Sequence, residues 1–184
     1  LQAINTAIFP LYEKALKNII LVKKELLNAN FPYSFPTPIQ DKYFSIDGLV
    51  WRMFPFVEES ICYEKVSNKE QAFEAAKCLG EFYSSLNGFN VAQLHITFPN
   101  FHAAAFRFEA LNKAIKMASA NRLSQVKNII AAINKEQDVL HKFDKLNTDL
   151  PKRVVHFDAK ISNFLFDKHT NKAKAIIDLD TLMP

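Results

Sequence analysis

The feature that most constrains this chain is residues 153–181, where short apolar runs alternate with polar residues. Three runs, at residues 153–155, 164–166 and 175–177, have the length and the β-branched or aromatic content of short strands. Before this segment, most apolar residues recur every three or four positions, which is the period of an amphipathic helix. Helices that precede a few short strands predict an α+β fold.

Helical periodicity is clearest at residues 11–28 and at residues 123–146, the latter as one long helix or two shorter ones. Between them, Ser67 is followed three residues later by Glu70, which matches a capping box with Ser67 as the N-cap. We expect the helix that starts there to bury the face that carries Phe73, Ala76, Leu79, Tyr83 and Leu86.

A β-hairpin is predicted near the start of the chain. Asp47-Gly48 separates two β-prone runs at residues 42–46 and 49–54. An Asp-Gly pair is a strong signal for a two-residue hairpin turn, because both turn positions need positive φ. The hairpin predicts a small N-terminal sheet layer, ahead of a mainly helical C-terminal part.

Composition is that of an ordinary globular protein. Of the 184 residues, 49% are hydrophobic and 23% are charged, a balance that excludes a disordered chain. The sequence has only three glycines, so no glycine-rich phosphate-binding loop is present in these residues. No apolar run reaches the roughly 18 residues that cross a membrane, so we expect no membrane association.

The net charge of +4 indicates a mild preference for anionic ligands such as phosphates. Because the Lys and Arg residues are scattered, we expect no nucleic-acid partner, and no pattern indicates an oligomeric state. The two cysteines, Cys62 and Cys78, lack metal-ligand spacing and are too few for a disulfide framework. We therefore expect a reducing, cytoplasmic location.

Polar residues with the pattern H-x-D-x-K-x-x-N fill the gap between the first two apolar runs: His156, Asp158, Lys160 and Asn163. In kinase-type phosphoryl transfer, the Asp of such a loop accepts the proton of the attacking hydroxyl. The Asn supplies an oxygen ligand to Mg²⁺, and a second Asp one hairpin later, here Asp178, holds the ion against nucleotide phosphates. Lys160 could neutralise the transferred phosphoryl group, and we expect His156 to support the loop through hydrogen bonds.

Two other interpretations stay open at this point. The acids and the histidine could form the metal site of a hydrolase, although transition metals favour more than one histidine ligand. That site would contain His156, Asp158, Asp178 and Asp180. A non-catalytic kinase-like remnant or binding module is favoured by the scarcity of glycine and disfavoured by the intact set of acids and amide.

The motif HFDAKISNFLFD at residues 156–167, followed by IIDLDTLMP at residues 176–184, resembles the aminoglycoside phosphotransferase and choline kinase-like superfamily. The D-L-D-T-x-M-P ending is most similar to sugar kinases of the N-acetylhexosamine 1-kinase type. Residues 1–5, 51–57 and 94–107 also resemble segments of this family. The resemblance implies a protein-kinase-like fold and an ATP- and Mg²⁺-dependent kinase. The expected acceptor is a hydroxyl of a small molecule. A sugar such as an N-acetylhexosamine is the first candidate for that molecule.

The resemblance also implies an organisation into lobes. Residues 1–57 would form a partial N-lobe, with a helix, a β-hairpin and the interlobe hinge. Residues 58–184 would form the C-lobe helices with the catalytic loop and the metal-binding hairpin. We expect the family's nucleotide-covering loop before Leu1, and the helices that complete the sugar pocket after Pro184.

Site residues are carried over from the family position by position. Asp158 becomes the catalytic base, with Lys160 and His156 beside it, and the metal residues are Asn163, Asp178 and Asp180. Asp180 would lie in the outer part of the metal site or face the substrate. The hinge would offer backbone groups to adenine at Phe54, Phe56 and Val57.

Two further candidates lie outside the motif: His102 could line a substrate pocket, and Arg107 could bind substrate or phosphate. The position nearest to the strand lysine of kinases is Gln2, which is not a lysine.

Overall fold

The computed structural model describes every residue from Leu1 to Pro184 and divides into two units. Unit 1 combines Leu1–Thr97 with Lys152–Pro184, and unit 2 consists of Phe98–Pro151. The units do not divide at Val57, because residues from the first helix share one apolar core with residues near the end of the chain. The assignment of residues 1–57 and 58–184 to two lobes stays a prediction.

The first sheet of unit 1 has three antiparallel strands in the order β1-β3-β2. The strands are β1 (Gln2–Ile4), β2 (Phe44–Ile46) and β3 (Leu49–Arg52). Asp47 and Gly48 join β2 to β3 with φ values of 51° and 73°, as a two-residue turn requires. The predicted hairpin is therefore confirmed, although both strands are shorter than the predicted runs. β1 pairs with β3 so that Gln2 lies opposite Arg52.

The second sheet of unit 1 is also antiparallel, in the order β4-β5-β6. Its strands are β4 (Ser60–Cys62), β5 (Phe164–Asp167) and β6 (Ala173–Ile176). The strands predicted at residues 164–166 and 175–177 are confirmed with shifted ends. The prediction of a strand at residues 153–155 is wrong. Val155 makes only an isolated bridge to Met183, since the chain turns away at Phe157.

Two helices of unit 1 supply much of its core: α1 (Tyr12–Asn28) and α2 (Lys69–Ser85). The N-cap of α2 is Asn68 rather than Ser67, because the Asn68 side chain accepts from the backbone N of Gln71 at 2.9 Å. The buried apolar face of α2 carries Ala75, Cys78, Phe82 and, just past its end, Leu86. Phe73, which we expected on that face, is 65% exposed.

The core of unit 1 is one apolar cluster built from α1, α2, β5 and β6. Phe82 and Phe166 are completely buried in it. Around Phe82 lie the rings of Phe31, Phe35 and Tyr83, with centroid distances between 5.4 and 6.2 Å. Aromatic packing of this kind dominates core energetics, because each ring buries a large apolar area.

A buried amide, Asn18 on α1, ties separate parts of unit 1 together. Its Nδ2 donates to the carbonyl oxygens of His95 and Leu182, both at 2.8 Å, and its Oδ1 accepts from His95 N at 2.8 Å. Asn18 is fully buried, so each of these bonds satisfies groups that water does not reach. The end of the chain is thereby held against α1.

Unit 2 consists of three helices: α3 (Ala104–Met117), α4 (Ala120–Lys135) and α5 (Gln137–Asp149). Residues 123–146 therefore form parts of two helices, which separate at Glu136. The carboxylate of Asp144 on α5 accepts from the backbone N of Ala104 and of Ala105, at 2.8 and 2.7 Å, and so caps the start of α3. None of the five helices in the chain combines the length and the apolar character needed to cross a membrane.

Candidate active site

The loop that follows Val155 turns at a residue with positive φ. Phe157 has a φ of 62°, a conformation that bulky side chains seldom adopt. This turn brings Asp158 N to 3.3 Å from His156 Nδ1, so the imidazole accepts from the residue two positions later. A short helical turn at Ile161–Asn163 then leads into β5.

His156 connects this loop to the end of β6. Its Nε2 lies 2.9 Å from Ile177 O, and because Nδ1 accepts from Asp158 N, Nε2 is the nitrogen that carries the proton. The ring is fully buried, and burial lowers its pKa, which favours the neutral form. The carbonyl of His156 accepts from the Thr181 hydroxyl. With both ring nitrogens engaged, His156 is placed to support the loop.

Asn163 lies between two carboxylates. Its Nδ2 donates to Asp158 O at 2.7 Å and lies 3.1 Å from Asp158 Oδ2 and 3.4 Å from Asp178 Oδ2. Ile177 N donates to Asn163 O at 2.9 Å, which holds the residue before Asp178 against the loop. Asp178 has a φ of 61°, so the chain leaves the strand direction there. The structure thus brings Asp158, Asn163 and Asp178 together.

Asp158 also pairs with Lys160, whose Nζ lies 2.8 Å from Asp158 Oδ2. The two side chains are 33% and 56% exposed, respectively. The hydrogen bond and the charge of Asp158 raise the pKa of Lys160. Oδ2 of Asp158 therefore faces both the Lys160 ammonium and the Asn163 amide, and Oδ1 is the oxygen outside these contacts.

A cavity of about 460 Å³ adjoins this cluster in unit 1. The segment after β3 lines it with Phe54, Phe56 and Val57, and the site loops line it with Asn163 and Asp178. The predicted hinge residues and two predicted metal residues therefore face the same cavity. Apolar walls with a few convergent polar groups are typical of a small-molecule site.

Arg52, at the end of β3, lines the same cavity and forms a buried ion pair with Asp180. The two terminal nitrogens of the guanidinium donate to the two carboxylate oxygens of Asp180, and Nε donates to Gln2 Oε1 at 2.9 Å. Each carboxylate oxygen of Asp180 therefore accepts one hydrogen bond from Arg52. Asp180 thus directs its carboxylate at Arg52, and its place in the outer part of the metal site or facing the substrate stays a prediction.

The geometry also bears on the hydrolase alternative. His156 uses its ring nitrogens for Asp158 N and Ile177 O, and Asp180 faces Arg52. No group of three or more His, Cys, Asp or Glu side chains in the chain is arranged to hold a metal ion. The four residues proposed for a hydrolase centre do not form a common metal site here.

The two predicted substrate residues lie in unit 2. The ring of His102 packs on the ring of Phe101 with a centroid distance of 4.5 Å, and Arg107 Nη2 donates to Phe101 O at 2.8 Å. These contacts order the segment that leads into α3. A substrate role for His102 and Arg107 stays a prediction.

An aspartate loop, an amide five residues later and a second aspartate one hairpin later define a class of enzyme, the kinase-type phosphotransferases. In a comparison with known families, the model of the "Phosphotransferase enzyme family" (APH) matches residues 24–184. The chain belongs to this family. Its mixed architecture, with two small antiparallel sheets and five helices, is consistent with a kinase-like phosphotransferase fold, which confirms the predicted fold class.

Sequence reasoning missed the polar residues that organise the site. Arg52 carried one usable signal, since a charge inside the apolar run of residues 49–54 needs a buried partner. Nothing local identified Asp180 as that partner, or Asn18 as the amide that holds the end of the chain. The strand β4 at Ser60–Cys62 was not predicted either.

Proposed function

We propose that this phosphotransferase transfers the terminal phosphoryl group of ATP, with Mg²⁺, to a hydroxyl of a small molecule. One observation carries the proposal: Asp158, Asn163 and Asp178 converge, with Asn163 Nδ2 3.1 and 3.4 Å from the two carboxylates. We further propose a sugar such as an N-acetylhexosamine as the acceptor. This part rests on the D-L-D-T-x-M-P ending at residues 178–184.

Asp158 is the general base in this proposal. Because Lys160 and Asn163 hold Oδ2, the free Oδ1 takes the proton of the acceptor hydroxyl. A positioned base of this kind contributes roughly 10²–10⁴-fold to the rate. Lys160, already beside the carboxylate, offsets the negative charge of the transferred group. His156 keeps the loop in place through Asp158 N and Ile177 O.

Asn163 and Asp178 fit a Mg²⁺ ion by the chemistry of their donors. Nδ2 of Asn163 is committed to Asp158, which leaves its Oδ1 for a cation, and Asp178 supplies a carboxylate. Carboxylate and amide oxygens are ligands that Mg²⁺ takes, and the ion binds through few protein groups together with substrate phosphates. When bound, Mg²⁺ would neutralise charge on the nucleotide phosphates. The adenine would lie against the wall formed by Phe54, Phe56 and Val57.

Two variants in the intact protein test these roles. We expect Asp158→Asn to lower kcat by about 10²–10⁴-fold while leaving the Kd for ATP nearly unchanged, because Asp158 faces the acceptor. Asp178→Asn should weaken Mg²⁺-dependent ATP binding as well as turnover, because it removes a charge from the metal site. Asp138→Asn, at an exposed position of α5, is the matched control.

The measurements are kcat, KM for ATP and nucleotide Kd, with labelled ATP and a panel of amino sugars, hexoses, choline and aminoglycosides. Near-normal turnover by Asp158→Asn would contradict the role of the base. Activity on choline or an aminoglycoside alone would contradict the sugar acceptor. ATP binding without transfer to any acceptor would favour the non-catalytic binding module.

A further inference from the structure

Arg52 is a buried cation in the wall of the cavity, and the mechanism above does not use it. Its side chain is only 4% exposed, yet it lines the cavity with Asn163 and Asp178. A buried charge costs free energy unless it is paired. A cation kept at this place therefore needs a physical explanation.

The partners of Arg52 fix its orientation. Asp180 takes one N–H from each terminal nitrogen, and Gln2 takes the Nε proton. The ring of Phe54 lies 4.9 Å from the guanidinium carbon. The side chain of Tyr43 is a further hydrogen-bond partner of Arg52. Because guanidinium has five N–H donors, Asp180, Gln2 and Tyr43 together leave one donor. Asp180 thus orients the guanidinium of Arg52, which can still donate to a further acceptor.

The strand register relates Arg52 to Gln2. Gln2 on β1 and Arg52 on β3 are direct partners across the antiparallel pair. In protein kinases, a strand lysine that pairs with an acid contacts the nucleotide phosphates. Here the residue on β1 is the neutral Gln2, and the cation lies directly opposite it on the neighbouring strand.

We propose that Arg52 binds the nucleotide phosphates in place of a strand lysine, with Asp180 as its orienting carboxylate and Gln2 as its neutral support. The inference rests on the proposed function, since it takes a triphosphate to be the ligand of this cavity. Burial opposes the charge, but the hydrogen bonds and the attraction of Asp180 raise the pKa of Arg52, so it stays cationic. A fixed guanidinium in a buried position is well suited to phosphate oxygens, because its planar fork of donors matches them.

The test measures binding rather than turnover, with three probes: magnesium tripolyphosphate, Mg·ATP and adenosine. Arg52→Met/Asp180→Asn removes both charges, so that neither is left buried and unpaired. We expect the Kd for tripolyphosphate and ATP to rise roughly 10- to 100-fold in this variant, while adenosine binding changes little. Lys23→Met/Asp41→Asn, which removes a half-exposed ion pair of unit 1, is the control and should bind all three probes normally.

A second variant distinguishes phosphate binding from a structural role. Gln2→Lys/Arg52→Gln moves the cation across the strand pair and keeps a partner for Asp180. We expect it to recover most of the tripolyphosphate affinity, which a merely structural Arg52 would not explain. It also keeps the proposal testable if the first variant does not fold.

The outcomes separate this proposal from the proposed function. Equal tripolyphosphate affinity in the wild type and in the charge-free variant overturns it, as does failure of the wild type to bind tripolyphosphate. If no acceptor is phosphorylated but tripolyphosphate binding depends on Arg52, the anion site stands and the proposed kinase activity is wrong.

Discussion

The two units of the chain differ in the interactions that stabilise each of them internally. Every buried residue belongs to unit 1, whereas no residue of Phe98–Pro151 is buried. Several large apolar side chains of unit 2 remain half exposed or more, among them Ile129 at 60% and Phe143 at 50%. Unit 1 therefore depends on burial of apolar area and on buried polar ties, such as those of Asn18 and His156.

The helices of unit 2 depend more on local contacts at their ends and surfaces. Ser119 accepts from Arg122 N at the start of α4, Asp144 caps α3, and Glu109 pairs with Lys113 one turn later. A side-chain cap contributes about 1 kcal/mol, and a solvent-exposed ion pair such as Glu109–Lys113 contributes less. The proposed catalytic loop therefore lies in the unit where truncation of a single side chain lowers the free energy of unfolding most.

The largest expected effect is truncation in the core of unit 1. Phe82→Ala should destabilise unit 1 by about 3–5 kcal/mol, because it removes a fully buried ring that packs on three other aromatic rings. Phe143→Ala, which removes the same group from a half-exposed site on α5, should cost about 1 kcal/mol or less. Hydrogen exchange monitored peptide by peptide reports the protection of the two units separately. Equal losses of protection in the two variants would contradict the comparison.

Local patterns predicted much of the fold because the interactions behind them are local. The periodicity at residues 11–28 and the Asp47-Gly48 turn needed no knowledge of distant residues. The face of α2 was misjudged because its apolar residues fit two neighbouring faces. Only tertiary packing selects the face with Cys78 and Phe82 over the one with Phe73.

The same distinction applies to the candidate site. The spacing of Asp158, Asn163 and Asp178 could be interpreted because one loop and one antiparallel hairpin connect them. The Arg52–Asp180 pair joins positions 128 residues apart, and the spacing of neither residue indicates the other. Long-range ion pairs depend on how sheets and helices pack, which a single sequence does not encode in any short pattern.

The second largest expected effect is on the pH dependence of the stability of unit 1. Burial lowers the pKa of His156 below its ordinary value of 6.5, so the unfolded chain binds a proton more readily than the folded one. The free energy of unfolding therefore rises as the pH increases towards about 6.5. The stability that neutral His156 contributes is lost as the pH falls below this value. His156→Gln should flatten the stability profile below about pH 6.5.

Urea unfolding at several pH values measures this effect, which involves one proton and should be smaller than that of Phe82→Ala. His141→Gln, at an exposed site on α5 in unit 2, is the control and should leave the slope unchanged. The role of His156 would be wrong if His156→Gln kept the slope of the wild type.

The smallest expected effect lies in unit 2 and depends on a cap. Asp144→Ala removes the carboxylate that accepts from Ala104 N and Ala105 N, and Ala103 at the N-cap position has no capping side chain of its own. Loss of a cap costs about 1 kcal/mol, so exchange should accelerate in α3 and α5 while α2 stays protected.

Asn68→Ala, which removes the side-chain cap of α2, is the counterpart in unit 1. Because the core of unit 1 also holds α2, that variant should fray only its first turn. If Asn68→Ala exposes the whole of α2 while Asp144→Ala leaves α3 protected, the contrast between a core-held unit and a cap-held unit is wrong.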